Sequence, residues 1–212
     1  MSHLASFRPE ELSTAEVDAR EAVYRPLGDS VRDLADAALH CRLDRDALDA
    51  ATAEVEAVVA RLRASQLPGP YGVRYNAEGR AWSWGNAVVG IRNALAPPMR
   101  THRDASDAMH AEVSLGPVHE GDPGTVHPGV ASMLLDHLMG ETASGGVRVT
   151  MTGTLTMRHL RAVTLGPVRL DARIDRIEGA KVYVVATLGD PDGVAVESDG
   201  VFVIPRWARP PE

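Results

Sequence analysis

The sequence predicts an α+β fold in which one apolar helix lies on an antiparallel β-sheet, with a helical extension ahead of it. Three observations predict it. Val147, Val149, Met151, Gly153, Leu155 and Met157 alternate strictly with Arg148, Thr150, Thr152, Thr154, Thr156 and Arg158, the period of a β-strand. Val130, Met133, Leu134 and Leu138, with Leu135 beside them, recur at helical spacing instead. The segments after that helix are joined by short turns at Glu178-Gly179 and at Asp190-Pro191-Asp192-Gly193, and short turns make antiparallel neighbours. A single apolar helix against one such sheet is a layered α+β arrangement.

Composition sets the bounds. The 212 residues suit one domain with room for an extension. A formal charge of −7 argues against bulk nucleic-acid binding, while a local basic patch remains able to hold a phosphate. Cys41 is the only cysteine, which rules out an internal disulfide and permits a cytoplasmic setting. The N-terminal stretch is acidic and lacks an apolar signal core, and no uncharged run approaches the ~20 residues that span a bilayer. A soluble, cytoplasmic protein is expected.

In chain order, three regions are expected: a helical extension over residues 1–80, the α+β domain over 81–205 and a mobile tail over 206–212. Residues 1–30 read as loosely structured, with a turn at 25–30 and Asp29 or Ser30 as a helix cap. Residues 31–65 are helical, with Val31, Leu34, Ala38, Leu48, Ala51, Val55, Val58 and Leu62 at three- and four-residue steps and a break near 42–44. This extension serves packing or supports a dimer. Gly and Pro punctuate residues 66–108, where Trp82 and Trp84 alternate as in a short strand and residues 86–98 read as a strand and a turn. Residues 101–107 are polar surface. His102, Asp104, Asp107 and His110 match no closed zinc spacing, so no metal is expected. Ala111, Val113 and Leu115 form a half-buried strand closed by Gly116-Pro117. After the helix, ended by Ser144-Gly145-Gly146, come the strand beginning at Val147, a strand through Val168, Leu170, Ala172 and Ile174, and one through Val182, Val184, Ala186 and Leu188. The last carries Val194, Val196, Val201 and Val203, with an irregularity at 198–200.

The chemistry centres on the run His119-Glu120-Gly121-Asp122-Pro123-Gly124-Thr125-Val126-His127-Pro128-Gly129-Val130 and the helix that follows it. Pro128 suits a first helical position, where its missing N–H costs nothing. Asp136 sits between Leu135 and His137 in the apolar run. Asp is a poor helix-interior residue, and a carboxylate among apolar neighbours must be hydrogen-bonded or do chemistry. In an apolar wall it can serve as a general base near neutral pH. A helix N-terminus beside it stabilises developing negative charge.

These motifs, with SGGVRVTMTGTLTMRHLR, the turn DRIEGAKVYVVATL and the upstream GIRNALAPP, resemble the hotdog-fold acyl-CoA thioesterases, in particular their PaaI-like branch, over residues 85–205. The resemblance implies a long central helix wrapped by a curved antiparallel sheet, two subunits joining their sheets, and hydrolysis of a fatty or aryl acyl-CoA with no cofactor beyond the coenzyme A of the substrate. It assigns Asp136 as general base or nucleophile and Thr152, sixteen residues on, as its helper. It assigns the turn His127-Pro128-Gly129 to the carbonyl oxygen, and Val130 and Met133 to the substrate. Arg158, His159 and Arg161 suit coenzyme A phosphates or, equally, a charged sheet edge. The family writes Gly where Pro128 stands, so one backbone donor is lost there, and the Gly129 N–H or His127 must substitute. A second departure is Ala162 in place of the family's Pro. Two rivals remain: a catalytically inactive acyl-CoA-binding or scaffold protein, and a hotdog enoyl-CoA hydratase using Asp122 and His127. His137 and Glu141 stand ready to tune Asp136.

Overall fold

The computed structural model describes residues 7–146 and 148–209. The chain divides into two compact units, Met1–Leu95 and Ala96–Glu212. The first unit runs past residue 80, where the extension was expected to end, because Trp82, Trp84 and Ile91 form its apolar core with Val17.

In the first unit, β1 (Phe7–Pro9) pairs in parallel with β2 (Val73–Tyr75), which pairs antiparallel with β3 (Ala81–Trp82). Helix α1 (Thr14–His40) starts well upstream of the expected residue 31. Its start signal is the box Ser13-x-x-Glu16: the Ser13 hydroxyl accepts from the Glu16 N–H, and the Glu16 carboxylate accepts from the Ser13 N–H. Ser13, rather than Asp29 or Ser30, is therefore the cap, and the expected turn at 25–30 is helical with Pro26 inside it. At Gly28 the helix touches the loop that follows β3, where a Cβ would collide with the Ile91 carbonyl oxygen. Helix α2 (Arg45–Arg63) follows a break at 41–44, as expected, and Asp44 caps it by accepting from the Ala47 N–H at 3.0 Å. Trp84 lies outside β3, and residues 86–98 form turns rather than a strand. There the Asn86 side-chain oxygen accepts from the Val88 and Val89 N–H groups, a local bond that displaces strand pairing.

The second unit holds the large sheet. Strands β4 (Arg100–Arg103), β5 (Met109–Leu115), β6 (Met151–His159), β7 (Gly166–Glu178), β8 (Lys181–Asp190) and β9 (Gly193–Val203) lie in the order β4-β5-β7-β8-β9-β6, each pair antiparallel. Helix α3 (Pro128–Ser144) packs on β5 to β9 and ends at Gly145, whose φ of 56° is the left-handed conformation that glycine favours. Its buried face carries Ala131, Leu134, Leu135, Leu138 and Met139, which meet a sheet face of Leu170, Val184, Leu188 and Phe202. Burying each such large aliphatic side chain stabilises by ~1.5–3 kcal/mol.

Several strand expectations need correction. Residues 100–103 pair with β5 rather than forming only polar surface. Residues 148–150 precede β6 instead of belonging to it, and Val147 lies outside the described residues. The short connection from β6 to β7 does not make them neighbours, for β8 and β9 lie between them. It crosses the β8–β9 hairpin instead, where the Leu160 N–H donates to the Ala195 carbonyl. Strand β9 pairs without interruption through 198–200, and its irregularity falls at Ala195. Phe202, not Val201 or Val203, reaches the core. Arg206–Ala208, within the expected mobile tail, form a 3-10 turn. No described helix is long and apolar enough to cross a membrane.

Candidate active site

Asp136 and Thr152 come together. Asp136 lies on the half-buried face of α3, and the Thr152 hydroxyl donates to its Oδ1 at 2.9 Å. Strict alternation along β6 would aim Thr152 away from the helix, on the face opposite Leu155 and Met157. A bulge prevents this. Leu155 and Met157 stand opposite the core residues Gly200 and Ser198, and Thr154 stands opposite Val201, but Thr152 stands opposite the buried Phe202. Gly153 is the extra residue, and it returns Thr152 to the helix face. A Cβ at Gly153 would lie 3.1 Å from the Val201 carbonyl oxygen, so the bulge is built around a glycine.

The turn before α3 is tightly held. The His127 N–H donates to the His119 carbonyl, Val126 N–H to the Val163 carbonyl, and Gly124 N–H to the Glu120 carboxylate at 2.7 Å. His127 is the N-cap of α3. Its ring Nδ1 accepts from the Gly129 N–H at 2.9 Å, while its carbonyl accepts from the Val130 and Ala131 N–H groups at 2.9 and 3.3 Å. Pro128 has no N–H. The amides at 129–131 are thus engaged, and the Gly129 N–H is not free as it stands. A ring whose Nδ1 accepts carries its proton on Nε2 when neutral, so the exposed imidazole of His127 offers an N–H donor at the helix terminus. Nearby His119 has a buried Nδ1 without a partner among the described residues, and burial lowers its proton affinity.

The other candidates divide. Val130 and Met133 are half-buried on α3 and available to a ligand. Arg158 and His159 are exposed, and Arg158 touches Glu197 at 3.4 Å. Arg161 is committed to structure: it grips the Asp190 carboxylate at 2.7 and 2.6 Å and the Gly193 carbonyl at 2.6 Å. The Asp190 side chain is fully buried and also accepts from the Thr164 N–H and hydroxyl and the Asp192 N–H. Arg161 is therefore spent on the β8–β9 turn, and nothing in the local sequence announces a partner 29 residues away. Asp122 uses its carbonyl to accept from Thr125, and no hydrogen bond joins its carboxylate to His127 among the described residues. His137 lies 3.2 Å from Glu141, one turn along α3, and both are accounted for by that pair.

Of His102, Asp104, Asp107 and His110, Asp104 and His110 join Asp171 in an ionic pin, while Asp107 pairs with Arg103 and the His102 ring packs on His110. The His110 ring meets Asp171 at 2.5 Å through Nδ1 and Asp104 at 2.9 Å through Nε2. Both ring nitrogens are engaged, and the two carboxylates raise its proton affinity, Asp104 most. This ties the β4–β5 turn to β7.

Residues 123–197, which include both Asp136 and Thr152, match the family model described as thioesterase superfamily. The crystal structure of a thioesterase superfamily protein superposes with a TM-score of 0.76 at 25% identity, covering 93% of this chain and 98% of that one. A putative thioesterase from Ralstonia eutropha JMP134, a phenylacetic acid degradation-related protein, gives a TM-score of 0.47 at 15% identity over 50% of this chain and 84% of its own. A Bacillus halodurans protein crystallised with CoA gives 0.48 at 18% identity over 53% and 77%. No curated protein matches the chain. The architecture is the hotdog-like α+β fold of the thioesterase superfamily, and the resemblance drawn from the sequence holds at that level.

Proposed function

We propose that the chain is an acyl-CoA thioesterase, with Asp136 as its base. The observation that carries this reading is the Thr152–Asp136 hydrogen bond, made across helix and sheet inside the matched stretch. The Asp136 carboxylate takes a proton from a water held beside the Thr152–Asp136 hydrogen bond, against the carboxylate's other oxygen. The water oxygen attacks the thioester carbonyl, and the carbonyl oxygen becomes an oxyanion. Collapse of that tetrahedral species breaks the C–S bond, and coenzyme A leaves as the thiolate, which takes up a proton. The donor for the oxyanion is His127: its Nε2–H stands where Pro128 supplies nothing and the Gly129 N–H is already engaged. Val130 and Met133 line the acyl group, and Arg158 and His159 face the coenzyme A phosphates. No metal or cofactor takes part. The chain acts in the cytoplasm as a homodimer, with α3 central and the open β6 edges of two subunits joined. The PaaI-like branch is its place within the family.

The test is release of free coenzyme A from short, long and aryl acyl-CoAs, with wild type beside Asp136→Asn. Turnover by wild type and its loss in a folded Asp136→Asn variant is the expected result. Equal turnover by both moves the chemistry away from Asp136. A second reading has its own observation: with Pro128 in the turn and the amides at 129–131 engaged, the helix terminus offers no spare backbone donor. An inactive acyl-CoA-binding protein would hold these ligands without releasing coenzyme A.

A further inference from the structure

Among the described residues helix α2 is thinly covered, with its Leu62 lining an open cavity beside Leu27 and Val31 of α1. None of its 19 residues is buried. Leu48, Val55, Val58, Val59 and Leu62 are each between 36 and 45% exposed. Leu48, Val55 and Leu62 recur every seven residues, with Ala51 and Val58 between them, the seam that one helix buries against another. In folded proteins, packing of the apolar face is what supplies most of a helix's stability.

The charges beside the seam choose the occupant. Glu54 and Arg61 are seven residues apart and flank the same side of it. They are too far apart to pair within the helix, and neither has an ion-pair partner among the described residues. When two identical helices meet antiparallel about a two-fold axis, each flank faces its own copy. Glu54 of one chain then meets Arg61 of the other, twice. The same register sets Val55 against Val58 and Leu62 against Ala51, large against small. We propose that α2 is a self-association surface, on which two copies of this chain pair their α2 helices antiparallel through the Leu48–Val55–Leu62 seam, with two symmetric Glu54–Arg61 contacts. This surface is separate from the β6 edge, so the experiment reads contact at α2 itself and not molecular size.

The experiment is disulfide trapping in the full chain. Cys41, exposed and the only cysteine, is first replaced by Ser. Ala51→Cys with Leu62→Cys then places thiols at facing positions, too far apart to close within one helix. Ala50→Cys with Ala57→Cys on the opposite face is the control, and circular dichroism confirms that each variant is folded. Mild oxidation is expected to give a cross-linked dimer from the seam variant at least tenfold faster than from the control. Adding Glu54→Arg or Arg61→Glu sets like charges at both contacts and slows trapping by roughly tenfold, given the modest strength of exposed pairs. Combining the two reversals exchanges the charges and restores the rate. Trapping no faster than in the control overturns the proposal, as does a double reversal that fails to restore what a single one removed.

Discussion

Thr152→Val tests the site most directly. Valine keeps the shape of threonine and removes only the hydroxyl that donates to Asp136 at 2.9 Å. A hydrogen bond to a charged acceptor contributes about 1.5–3 kcal/mol. Thr152 is exposed and Asp136 half-buried, which places this one at the lower end. About 1.4 kcal/mol is a factor of ten in rate, so kcat/KM for acyl-CoA hydrolysis is expected to fall roughly tenfold. Thr152→Ser, which keeps the donor, is expected to recover most of that loss. Thermal stability should stay close to wild type in both, because valine is at home on a strand and no buried polar group is orphaned. The assay is continuous detection of free coenzyme A, with unfolding followed on the same samples. Thr152→Val at full rate beside an inactive Asp136→Asn would refute the helper role while leaving the base in place. A fall in Thr152→Ser equal to that in Thr152→Val would show that packing, not the hydroxyl, is what matters.

Further outcomes follow from the same geometry. Pro128→Gly restores a backbone N–H to the first turn of α3 and is expected to raise kcat, by up to the ~10² that one oxyanion donor supplies; a fall would show that the proline rigidifies a competent turn. His127→Ala releases the Gly129 N–H but removes the Nε2–H, so a lowered kcat identifies the imidazole as the donor and a raised one identifies Gly129. Asp190→Ala leaves Arg161 without its carboxylate and the Thr164 and Asp192 N–H groups without their acceptor, and is expected to lower Tm by roughly 5–10 °C. His110 binds its proton more tightly in the folded state than at the usual value of 6.5. Its contribution to stability is therefore full below about pH 6.5 and fades as pH rises through the folded value. His110→Gln should flatten that slope, and nuclear magnetic resonance titration of the ring should place its midpoint above 6.5.

Much of this was legible from the chain, for physical reasons that differ by element. Helix α3 announces itself because its burial demands apolar residues at helical spacing and its ends demand Pro128 and Gly145. Strands β7 and β8 are legible because one face of each meets the core. The start of α1 is also written, in Ser13-x-x-Glu16, although Pro26 and the sparse apolar residues before Val31 point to a later start. The fate of Arg161 was not written anywhere nearby, since its carboxylate arrives from the next hairpin. The same holds for His110, whose second carboxylate comes from β7.

The candidate site was legible through the family resemblance and illegible by face. Sixteen residues separate Asp136 from Thr152, yet the clean alternation that identifies β6 as a strand also aims Thr152 at the wrong side of the sheet. Both readings are local and both are sound; the conflict between them is resolved by one unpaired residue. A bulge costs a strand some of its ladder, and it persists where something is gained by re-aiming a side chain. Here the gain is that Thr152 lies on the helix side of the sheet instead of the far side, within reach of the carboxylate in the apolar run. Two irregularities that are each unfavourable alone, an Asp inside a helix and a Gly bulge inside a strand, meet at one hydrogen bond. That coincidence is a stronger argument for chemistry at Asp136 than either the helix pattern or the strand pattern supplies.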